Sequence, residues 1–511
     1  MKQKDFLKLL FSVAISVCSF STTYGQGQYT WTGATNNDWD TNTNWDNNVV
    51  PPNSTDVIIP SGLTNYPTKS SGFILLNSLI FESGSSILLE GGNIFSDITY
   101  KRNLTSNWHL IASPIEDHTF EALIADNDFA AGTGTNIGIG LHDNSLATPW
   151  QYKSETATGA IDNKLGMAVK LKPGSSSIVF KGKAFNNIAV TKPVDGITDF
   201  TLIGNPYLAY LDSNLFFSNM DNSFLLKEKT IWLWNGNQYI TKNLAEPIKV
   251  APTQGFFVRA IGSINVYPAM LSHQTTDTFL RQAPTPSFEL SVANNKAKKS
   301  TKVFFIDNKT TGFDNGYDSS IFSGVKNKFA VFTQLVSDSK GEKLAIQTLP
   351  NANYQNTVIP VGLIAKAKEE ITFAVNSKNL PTDVTIYLED RKNKTFINLS
   401  KNEHTISLDE KSNGIGQFYI HTQAKKLNTD TILNDLNNIS IYNSDDKEIS
   451  ISGLQGKAVV KVYSTLGKEL VQTQINSNGI NQVLLPHLSA GIYIVKLNTD
   501  LGSITKKIVL K

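Results

Sequence analysis

Short apolar runs separated by small polar residues dominate the sequence after residue 54. Three stretches follow one another, STDVIIPSG, SGFILLNSLIFESG and SSILLEGGNIFSDI, with Gly, Ser or Asn about every ten residues. A helix needs an apolar stripe that continues over about ten residues or more, and the glycines and β-branched side chains interrupt any such stripe. Residues 26–100 are therefore predicted to form the stacked rungs of a small β-solenoid, or a β-meander.

Length and charge restrict the class of protein. A chain of 511 residues is too long for one hydrophobic core, so about three or four domains are expected. The 46 Lys and Arg residues nearly balance the 44 Asp and Glu residues. Because the two signs are interspersed, the sequence lacks the basic face that nucleic-acid binding requires. The many Asn, Thr, Ser and Gly residues are typical of turn-rich β-structure.

The N-terminal residues 1–25 have the organisation of a secretory signal peptide. They begin with lysines, run apolar from Leu9 to Phe20 and end in small or neutral residues before Gln26; the apolar segment is too short to span a bilayer. Cys18 lies inside this segment without the small preceding residue of a lipoprotein site, so it belongs to the signal. The mature chain then has no cysteine, which excludes disulfides and thiolate metal sites. No later apolar run is long enough to cross a membrane.

Residues 101–270 contain an internal repeat. Each half has, in the same order, a Leu-Ile pair before a Pro, a segment rich in Trp and Tyr, and a Gly before an apolar strand. We expect two similar β-units, residues 101–190 and 196–270, in which the Pro ends a strand and Gly166 and its counterpart Gly255 permit a bend. The paired segments are NWHLIASPI and FTLIGNPY, PWQY and IWLWNGNQYI, and LGMAVKL and QGFFVRA.

Residues 287–425 are predicted to form a β-sandwich. The segment EEITFAVNS places Ile371, Phe373 and Val375 on one face of a strand, and TDVTIYLED alternates in the same way. The turn signals DNG and SNG separate such runs. A Pro-containing linker precedes this region, and the polar connector KKLNTDTILNDLNN follows it.

The opening segment WTGATNNDWDTNTNWDNNVVPP, residues 31–52, combines three tryptophans with many Asp and Asn residues. Asp38, Asp40 and Asn42 alternate as the oxygen ligands of a calcium loop do. The Gly and Glu that such a loop needs at its sixth and twelfth positions are absent, so solvated, turn-forming side chains are the alternative interpretation. The tryptophans are predicted to cap the first solenoid rung rather than to stack on sugars. No other cofactor is expected.

The segment IWLWNGNQYI contains a second aromatic group. Asn235-Gly236 is a strong hairpin signal, so Trp232 and Trp234 should share one face of a strand with Tyr239 across the hairpin. A flat aromatic strip of this kind binds the C–H face of a pyranose ring, and it also fills the core of a sandwich. Both interpretations are kept: a glycan-binding face formed by these three residues, or a core.

Sequence motifs of catalytic sites are absent. The chain contains no Gly-x-Ser-x-Gly elbow, no His-Glu-x-x-His and no Walker loop. The glycines of GTGTNIGIG are not spaced as in a dinucleotide-binding fingerprint. A glycosidase carboxylate pair leaves no sequence motif, so the absence of motifs argues only mildly against an enzyme.

Residues 437–511 carry three segments in a fixed order, VKVYSTLGKEL, LPHLSAGIYIVKL and the closing KKIVLK. With these segments the region resembles the C-terminal sorting domain of the type IX secretion system. The Pro-Asn-Pro turn that often opens that family is absent, which indicates a variant such as type C rather than the commonest type A. The resemblance implies an Ig-like fold, export across the outer membrane, interaction with the type IX machinery and a final location at or outside the cell surface.

Alternation within this domain predicts which side chains are buried. Tyr493, Val495 and Leu497 should face the core of about seven short strands, with Ile492 and Ile494 covered on the other side.

Four residues of this domain are candidate sorting residues: Gly491, Tyr493, Lys506 and Lys507. We expect Gly491 to permit a tight entry into the strand that carries Tyr493, where a larger side chain would clash. Lys506 and Lys507 are expected to be exposed, because an unpaired buried ammonium is costly, and so to be available to the export machinery.

The sequence therefore predicts an all-β, multidomain protein. Its parts are a small β-solenoid-like region, duplicated β-units, a β-sandwich and a C-terminal Ig-like sorting domain. The expected function is that of an exported, non-catalytic adhesin or extracellular matrix component. The alternative is an exported carbohydrate-binding or carbohydrate-degrading protein, with a polysaccharide or a surface glycan as its partner.

Overall fold

The computed structural model describes residues 27–162, 165–186, 189–192, 200–273, 285–337, 339–351, 357–422, 439–445, 447–485, 487–500 and 502–510. Strands account for 51% of the chain and helices for 6%, so the all-β prediction is confirmed. The predicted signal peptide with Cys18, the linker before residue 285 and the connector at 425–438 lie outside the described residues. In the described part of the chain, no helix is long and apolar enough to cross a membrane.

The first eight strands form a parallel β-solenoid. One sheet pairs β1, β2, β5 and β8, a second pairs β3 with β6, and a third pairs β4 with β7, all in parallel. Parallel pairing distinguishes this region from an antiparallel meander. The strands are β1 (Gln28–Thr30), β2 (Asp56–Ile59), β3 (Thr68–Lys69), β4 (Gly72–Ile74), β5 (Ser78–Phe81), β6 (Leu88–Leu89), β7 (Gly92–Ile94) and β8 (Asp97–Asn103).

Apolar side chains at equivalent rung positions stack to form the solenoid core. Val57 pairs with Leu79 and Leu79 with Ile98, and each is at most 1% exposed. The strand β8 crosses the predicted boundary at residue 100 and pairs on its far edge with a strand of the next unit. The solenoid and that unit therefore share one sheet and one core.

Two further β-units follow the solenoid. The first contains β9 (His109–Ile111), α1 (Phe120–Ala125), β10 (Asn136–His142), β11 (Trp150–Ser154), β12 (Met167–Val169) and β13 (Ser177–Lys183). The second contains β14 (Val190–Lys192), β15 (Phe200–Gly204), β16 (Tyr210–Asp212), α2 (Ser213–Ser218), α3 (Met220–Leu225), β17 (Leu226–Trp234), β18 (Tyr239–Lys242), β19 (Lys249–Val250), β20 (Gly255–Ala260), β21 (Ile264–Val266) and β22 (Leu271–Ser272).

The main sheets of these two units have the same strand order. In the first unit the antiparallel order is β9-β12-β10-β11, and in the second it is β15-β20-β17-β18. If only the strands of the main sheet are counted, the helices of each unit lie between the first and the second strand along the chain, β9 and β10 in the first unit and β15 and β17 in the second. A duplication predicts this shared order, and a superposition of the two units is its further test.

The two sheets contact each other through equivalent positions. Ile111 forms a β-bridge with Gln254, and Leu165 forms one with Ile203. In the repeat alignment Ile111 corresponds to Ile203 and Leu165 to Gln254, so the contact has an approximate two-fold symmetry like that of an isologous dimer.

The paired glycines have a different role from the predicted bend. A Cβ on Gly166 would lie 2.8 Å from the carbonyl oxygen of Ile203, and a Cβ on Gly255 would lie 2.8 Å from the backbone nitrogen of Ile111. Each glycine therefore lets its strand approach the backbone of the other unit closely.

The described residues between 287 and 421 form one continuous sheet of eleven strands. It has a main core and a smaller apolar cluster of Ala330, Phe332, Ile364 and Ile415. Phe288, Val361 and Leu388 come from distant strands of this sheet, yet all are fully buried in the same core. Ile371 and Phe373 are also buried there, as their alternation predicts. The strands are β23 (Ser287–Ala293), β24 (Lys298–Ile306), β25 (Ser319–Ser320), β26 (Ala330–Thr333), β27 (Leu344–Pro350), β28 (Val358–Ala365), β29 (Glu370–Lys378), β30 (Tyr387–Asp390), β31 (Thr395–Asn398), β32 (His404–Ser407) and β33 (Ser412–His421).

The C-terminal region is a separate five-stranded sheet with its own core. The prediction of about seven short strands is wrong, because two of the strands are 17 and 16 residues long. A turn at Gly467-Lys468 joins these two strands, and Gly467 has a φ of 83°. The strands are β34 (Ser440–Asp445), β35 (Glu448–Ser464), β36 (Glu469–Leu484), β37 (Gly491–Thr499) and β38 (Gly502–Leu510).

A buried histidine fixes the second unit against the solenoid. His273 follows β22, and its Nδ1 lies 2.9 Å from Ser86 Oγ and its Nε2 3.1 Å from Thr68 Oγ1. Burial lowers the pKa of His273 to about 4. The neutral imidazole donates one of these hydrogen bonds and accepts the other. A charged ring could donate to both hydroxyl oxygens, so it is burial, and not the loss of a contact, that disfavours protonation.

Acidification is expected to destabilise this contact. Between pH 6.5 and pH 4 the unfolded chain binds a proton at His273 that the folded chain does not, so the free energy of unfolding falls as the pH falls through this window. The full loss is on the order of 3 kcal/mol. Thermal unfolding against pH measures it. His273→Gln should reduce the slope in this window without abolishing it, because burial also lowers the pKa of His142 to about 4. His487→Gln, at an exposed position, is the control substitution. An unchanged slope in His273→Gln contradicts the assignment.

Candidate functional site

Of the predicted aromatic strip, Trp232 is a core residue. It has no exposed surface, its ring lies 5.0 Å from that of Phe200, and its Nε1 donates a 3.0 Å hydrogen bond to the carbonyl oxygen of Ser320. A sugar ring cannot reach this indole, which instead joins the second unit to β25 of the eleven-stranded sheet.

Trp234 and Tyr239 remain half-buried and form a corner rather than a flat strip. Their ring centroids are 5.0 Å apart and their planes are inclined by 60°. Phe322 covers one face of Tyr239 at a centroid distance of 4.0 Å, and burial raises the pKa of the Tyr239 phenol to about 12. Trp234 is oriented by a 2.8 Å hydrogen bond from its Nε1 to the carbonyl oxygen of Trp108.

These two rings form one wall of a cleft between the second unit and the eleven-stranded sheet. The cleft, called the interunit cleft below, has a volume of about 520 Å³. The hairpin β17–β18 lies on one side, and β23, β24 and the loop at 321–329 lie on the other. Its lining includes Trp234, Gln238, Tyr239, Lys242, Glu289, Lys299, Lys302, Phe322, Lys326, Asn327 and Lys328.

Positive charge predominates in the interunit cleft. Two of its five lysines share one carboxylate, since Glu246 accepts from Lys242 at 2.9 Å and from Lys302 at 2.7 Å, and this group of three keeps a net positive charge. These paired charges lower the pKa of Glu246 against the opposing effect of burial. Lys299, which is half-buried, donates instead to the neutral Oε1 of Gln238 at 2.9 Å, and burial lowers its pKa.

The carboxylates of the interunit cleft do not form a hydrolytic pair. Among the described residues that line it, Glu289 is the one carboxylate, and its Oε1 accepts a 2.5 Å hydrogen bond from Ser300. Glycosidases place two carboxyl groups on opposite sides of the scissile bond. The arrangement can therefore bind a sugar by stacking, hydrogen bonds and charge, but it lacks the pair that would cleave one.

The predicted metal ligands have other partners. The Asp38 carboxylate accepts from the Asp40 amide at 3.1 Å and from Thr41 Oγ1 at 2.9 Å. Asp40 forms an ion pair with Lys69 at 2.6 Å, and Asn42 Oδ1 accepts from the Val50 amide at 3.1 Å. Each of these side-chain oxygens accepts from a protein donor, so a calcium ion would have to replace these contacts.

The backbone around these residues is compact. Asn42–Asn44 form a single 3₁₀ turn, and Asn44 is fully buried. Its Oδ1 accepts from the amides of Thr35 and Asn36, and its Nδ2 donates to Asn36 Oδ1 and to the Asp38 carbonyl. Across the described residues, no group of three or more His, Cys, Asp or Glu side chains is placed to hold a metal ion.

In the C-terminal sheet, the reason given for Gly491 is wrong. A Cβ there would lie 3.7 Å from the nearest Tyr493 ring atom, which is an ordinary contact, so alanine fits without a clash. Tyr493 is half-buried against the core and donates a 2.8 Å hydrogen bond to the carbonyl oxygen of Ser489. Val495 and Leu497 are fully buried as predicted, whereas Ile492 is 43% exposed and not covered.

The two predicted sorting lysines differ in environment. Lys507 is exposed and pairs in register with Ile494. Lys506 pairs with the buried Val495 and is half-buried, because it lies on the same face of β38 as Ile508 and Leu510. Exposure was expected of both lysines, and only Lys507 is fully exposed. Lys507 and the apolar Ile492 both lie on the outer face of the strands β37 and β38.

The lysines of the interunit cleft were not predicted from the sequence. Lys299 belongs to the cluster NNKAKKSTK, and Lys326 and Lys328 to VKNKF. Local lysine density was the available signal. Lysine density alone does not predict a binding site, because the net charge of the chain is close to zero and nothing in either segment indicates that the two lie close together.

The comparison with known families agrees with the C-terminal prediction. Residues 437–511 match the family described as secretion system C-terminal sorting domain. This match bears out the resemblance to the type IX sorting domain, and it covers the separate five-stranded sheet. No curated protein matches the chain significantly.

Proposed function

We propose that this chain, whose sorting domain marks it for export through the type IX secretion system, is a non-catalytic surface adhesin that binds carbohydrate in the interunit cleft. The observation that supports this proposal best is the half-buried Trp234 at the wall of a 520 Å³ cleft lined by amide and ammonium groups. Carbohydrate sites combine an aromatic face with a few fixed polar groups in this way.

The surrounding architecture favours a rigid scaffold. The three N-terminal tryptophans are at most 3% exposed, which leaves them available for packing and not for ligands. Glu228 is buried, forms an ion pair with Arg259 and accepts from the Ser320 amide at 3.0 Å, so the second unit and the next sheet are joined by charged contacts. A matrix component without a specific ligand would share this architecture but would not need the cleft.

Glycan binding by the full mature chain tests the proposal. Trp234→Ala should weaken binding to the glycan that the wild type retains by about tenfold or more, because it removes the stacking face. Tyr152→Ala is the matched control, since Tyr152 is an aromatic residue of the first unit, 49% exposed and outside the interunit cleft. Binding on a glycan array and by calorimetry measures both.

Calcium is expected to have no effect on this binding, because the oxygens of Asp38, Asp40 and Asn42 already have protein partners. The array is therefore run with calcium and with a chelator. If the wild type binds no glycan under either condition, the adhesin proposal fails and the ligand-free matrix role replaces it.

A further inference from the structure

We propose that the interunit cleft selects anionic polysaccharides, whose sugar rings carry carboxylate or sulfate groups, and that Lys299 is the residue that recognises the charge. This inference rests on the proposed carbohydrate-binding function. It adds the class of glycan and the residue that discriminates between classes.

The charge of the cleft is the first argument. Five lining lysines stand against two carboxylates, Glu289 in the lining and Glu246, which pairs with Lys242 and Lys302, so the cleft has an excess of positive charge. A cleft with walls of low dielectric concentrates the field of such charges and attracts ligands of the opposite sign. A neutral glycan would not be attracted by this electric field.

Lys299 is the second argument. Its Nζ contacts the neutral Gln238 amide, and among the described residues no carboxylate lies within ion-pairing distance of it. A half-buried ammonium that has lost part of its hydration without gaining a counter-ion destabilises the free protein. A ligand carboxylate or sulfate would supply the missing charge and make a strong, charge-assisted hydrogen bond.

The loop at 321–329, which lies on the same side of the cleft as β24, supplies the third argument. Lys326 and Lys328 are exposed on this loop, and Asn327 between them is fixed by a 3.1 Å hydrogen bond from its Nδ2 to the carbonyl oxygen of Phe322. Phe322 is itself packed on Tyr239, so the loop is held beside the aromatic wall. Lys326 and Lys328 therefore add positive charge to the side of the cleft that carries Lys299, which suits a ligand with an anionic group on successive sugar units.

A polysaccharide fits this cleft better than a nucleic acid. Nucleic-acid sites have a basic stripe that follows many phosphates, whereas here three lysines without an ion-pair partner among the described residues, Lys299, Lys326 and Lys328, are grouped in one cleft on a chain of net charge +2. The open ring is a single indole, Trp234, beside a corner formed with Tyr239. One stacked ring next to a fixed ammonium matches one charged sugar unit.

Pairs of polymers that differ only in charge provide the test, with the full mature chain. Dextran sulfate is compared with dextran, and polygalacturonate with its methyl ester. We expect at least tenfold tighter binding of the charged member in one or both pairs, and the pair that shows it distinguishes sulfate from carboxylate. Lys299→Gln should reduce this preference about tenfold, while Lys298→Gln, exposed and outside the cleft lining, should keep it.

The outcomes separate this inference from the proposed function. Equal binding of charged and neutral members, with Trp234→Ala still harmful, would overturn the anionic selection and leave the glycan site intact. Binding of double-stranded DNA as tight as that of dextran sulfate, with the same dependence on Lys299, would also overturn it, because the site would then be a general polyanion site. If no polymer binds, both proposals fail.

Discussion

Deleting residues 437–511 is expected to reduce the surface-exposed protein more than tenfold and to leave the chain inside the outer membrane. These residues match the type IX sorting family and form a five-stranded sheet with its own core, in which Val460, Val462, Val495 and Leu497 are fully buried. An export machine that handles unrelated cargo needs a signal that folds independently of the cargo. Surface labelling of whole cells, compared with cell fractions, measures the effect.

Point substitutions separate loss of the folded domain from loss of chain length. Val460→Asp places a charge in the core and should abolish surface display, because an unpaired buried carboxylate cannot be accommodated. Leu466→Asp introduces the same side chain at the tip of the β35–β36 hairpin, where Leu466 is 95% exposed, and should be displayed normally. Fusion of residues 437–511 to an unrelated exported cargo should bring that cargo to the surface. Normal display of the truncated chain would contradict the sorting assignment.

Local patterns were sufficient to predict that the chain is rich in strands and that buried and exposed side chains alternate along them. The faces of the EEITFAVNS strand and of the GIYIVKL strand follow from a period of two residues, which depends on the backbone alone. Val495, Leu497, Ile371 and Phe373 are buried as this period predicts. The C-terminal domain was identified through a longer ordered pattern, and the family match agrees with it.

Strand length could not be predicted from turn signals. The segment NSNG at 476–479 has the composition of a turn, yet it lies inside β36 and pairs with β35, opposite Gly456 and its neighbours. Both strands continue through it because their apolar residues on either side belong to one core. Tertiary packing therefore overrides a local preference of about 1 kcal/mol per residue.

The candidate site depended on contacts that are distant in sequence. Trp232 and Trp234 have the same local pattern, but Trp232 contacts Ser320 of β25 and the nearby Phe322, which are distant in sequence and bury it. Lys299 lies opposite Gln238 only after the second unit and the eleven-stranded sheet have packed together. Near Asp38, the alternation of Asp and Asn residues arises from turns: Asn36 and Asp38 each accept a hydrogen bond from the amide two residues later.

Trp45→Ala is expected to destabilise the solenoid by about 3–5 kcal/mol, the usual effect of truncating a large buried aromatic side chain. Trp45 is 1% exposed and lies edge-on between two other indoles, at centroid distances of 5.0 Å from Trp31 and 4.7 Å from Trp39. Its Nε1 also donates a buried 2.9 Å hydrogen bond to the Trp39 carbonyl oxygen. Removing the ring therefore opens a cavity and leaves that carbonyl oxygen without a partner.

Because the β-bridge between Trp31 and Trp45 closes the segment over the first rung, the loss should appear first in β2 and β5. Hydrogen–deuterium exchange of peptides that span these strands measures local opening, and peptides from β37 serve as an internal reference. Trp45→Phe keeps an aromatic ring and should cost about 1–2 kcal/mol, while Val49→Ala, at a position that is 51% exposed, should stay within about 0.5 kcal/mol of wild type. Unchanged exchange of β2 in Trp45→Ala would show that the tryptophans do not cap the solenoid, and their burial would then need another explanation.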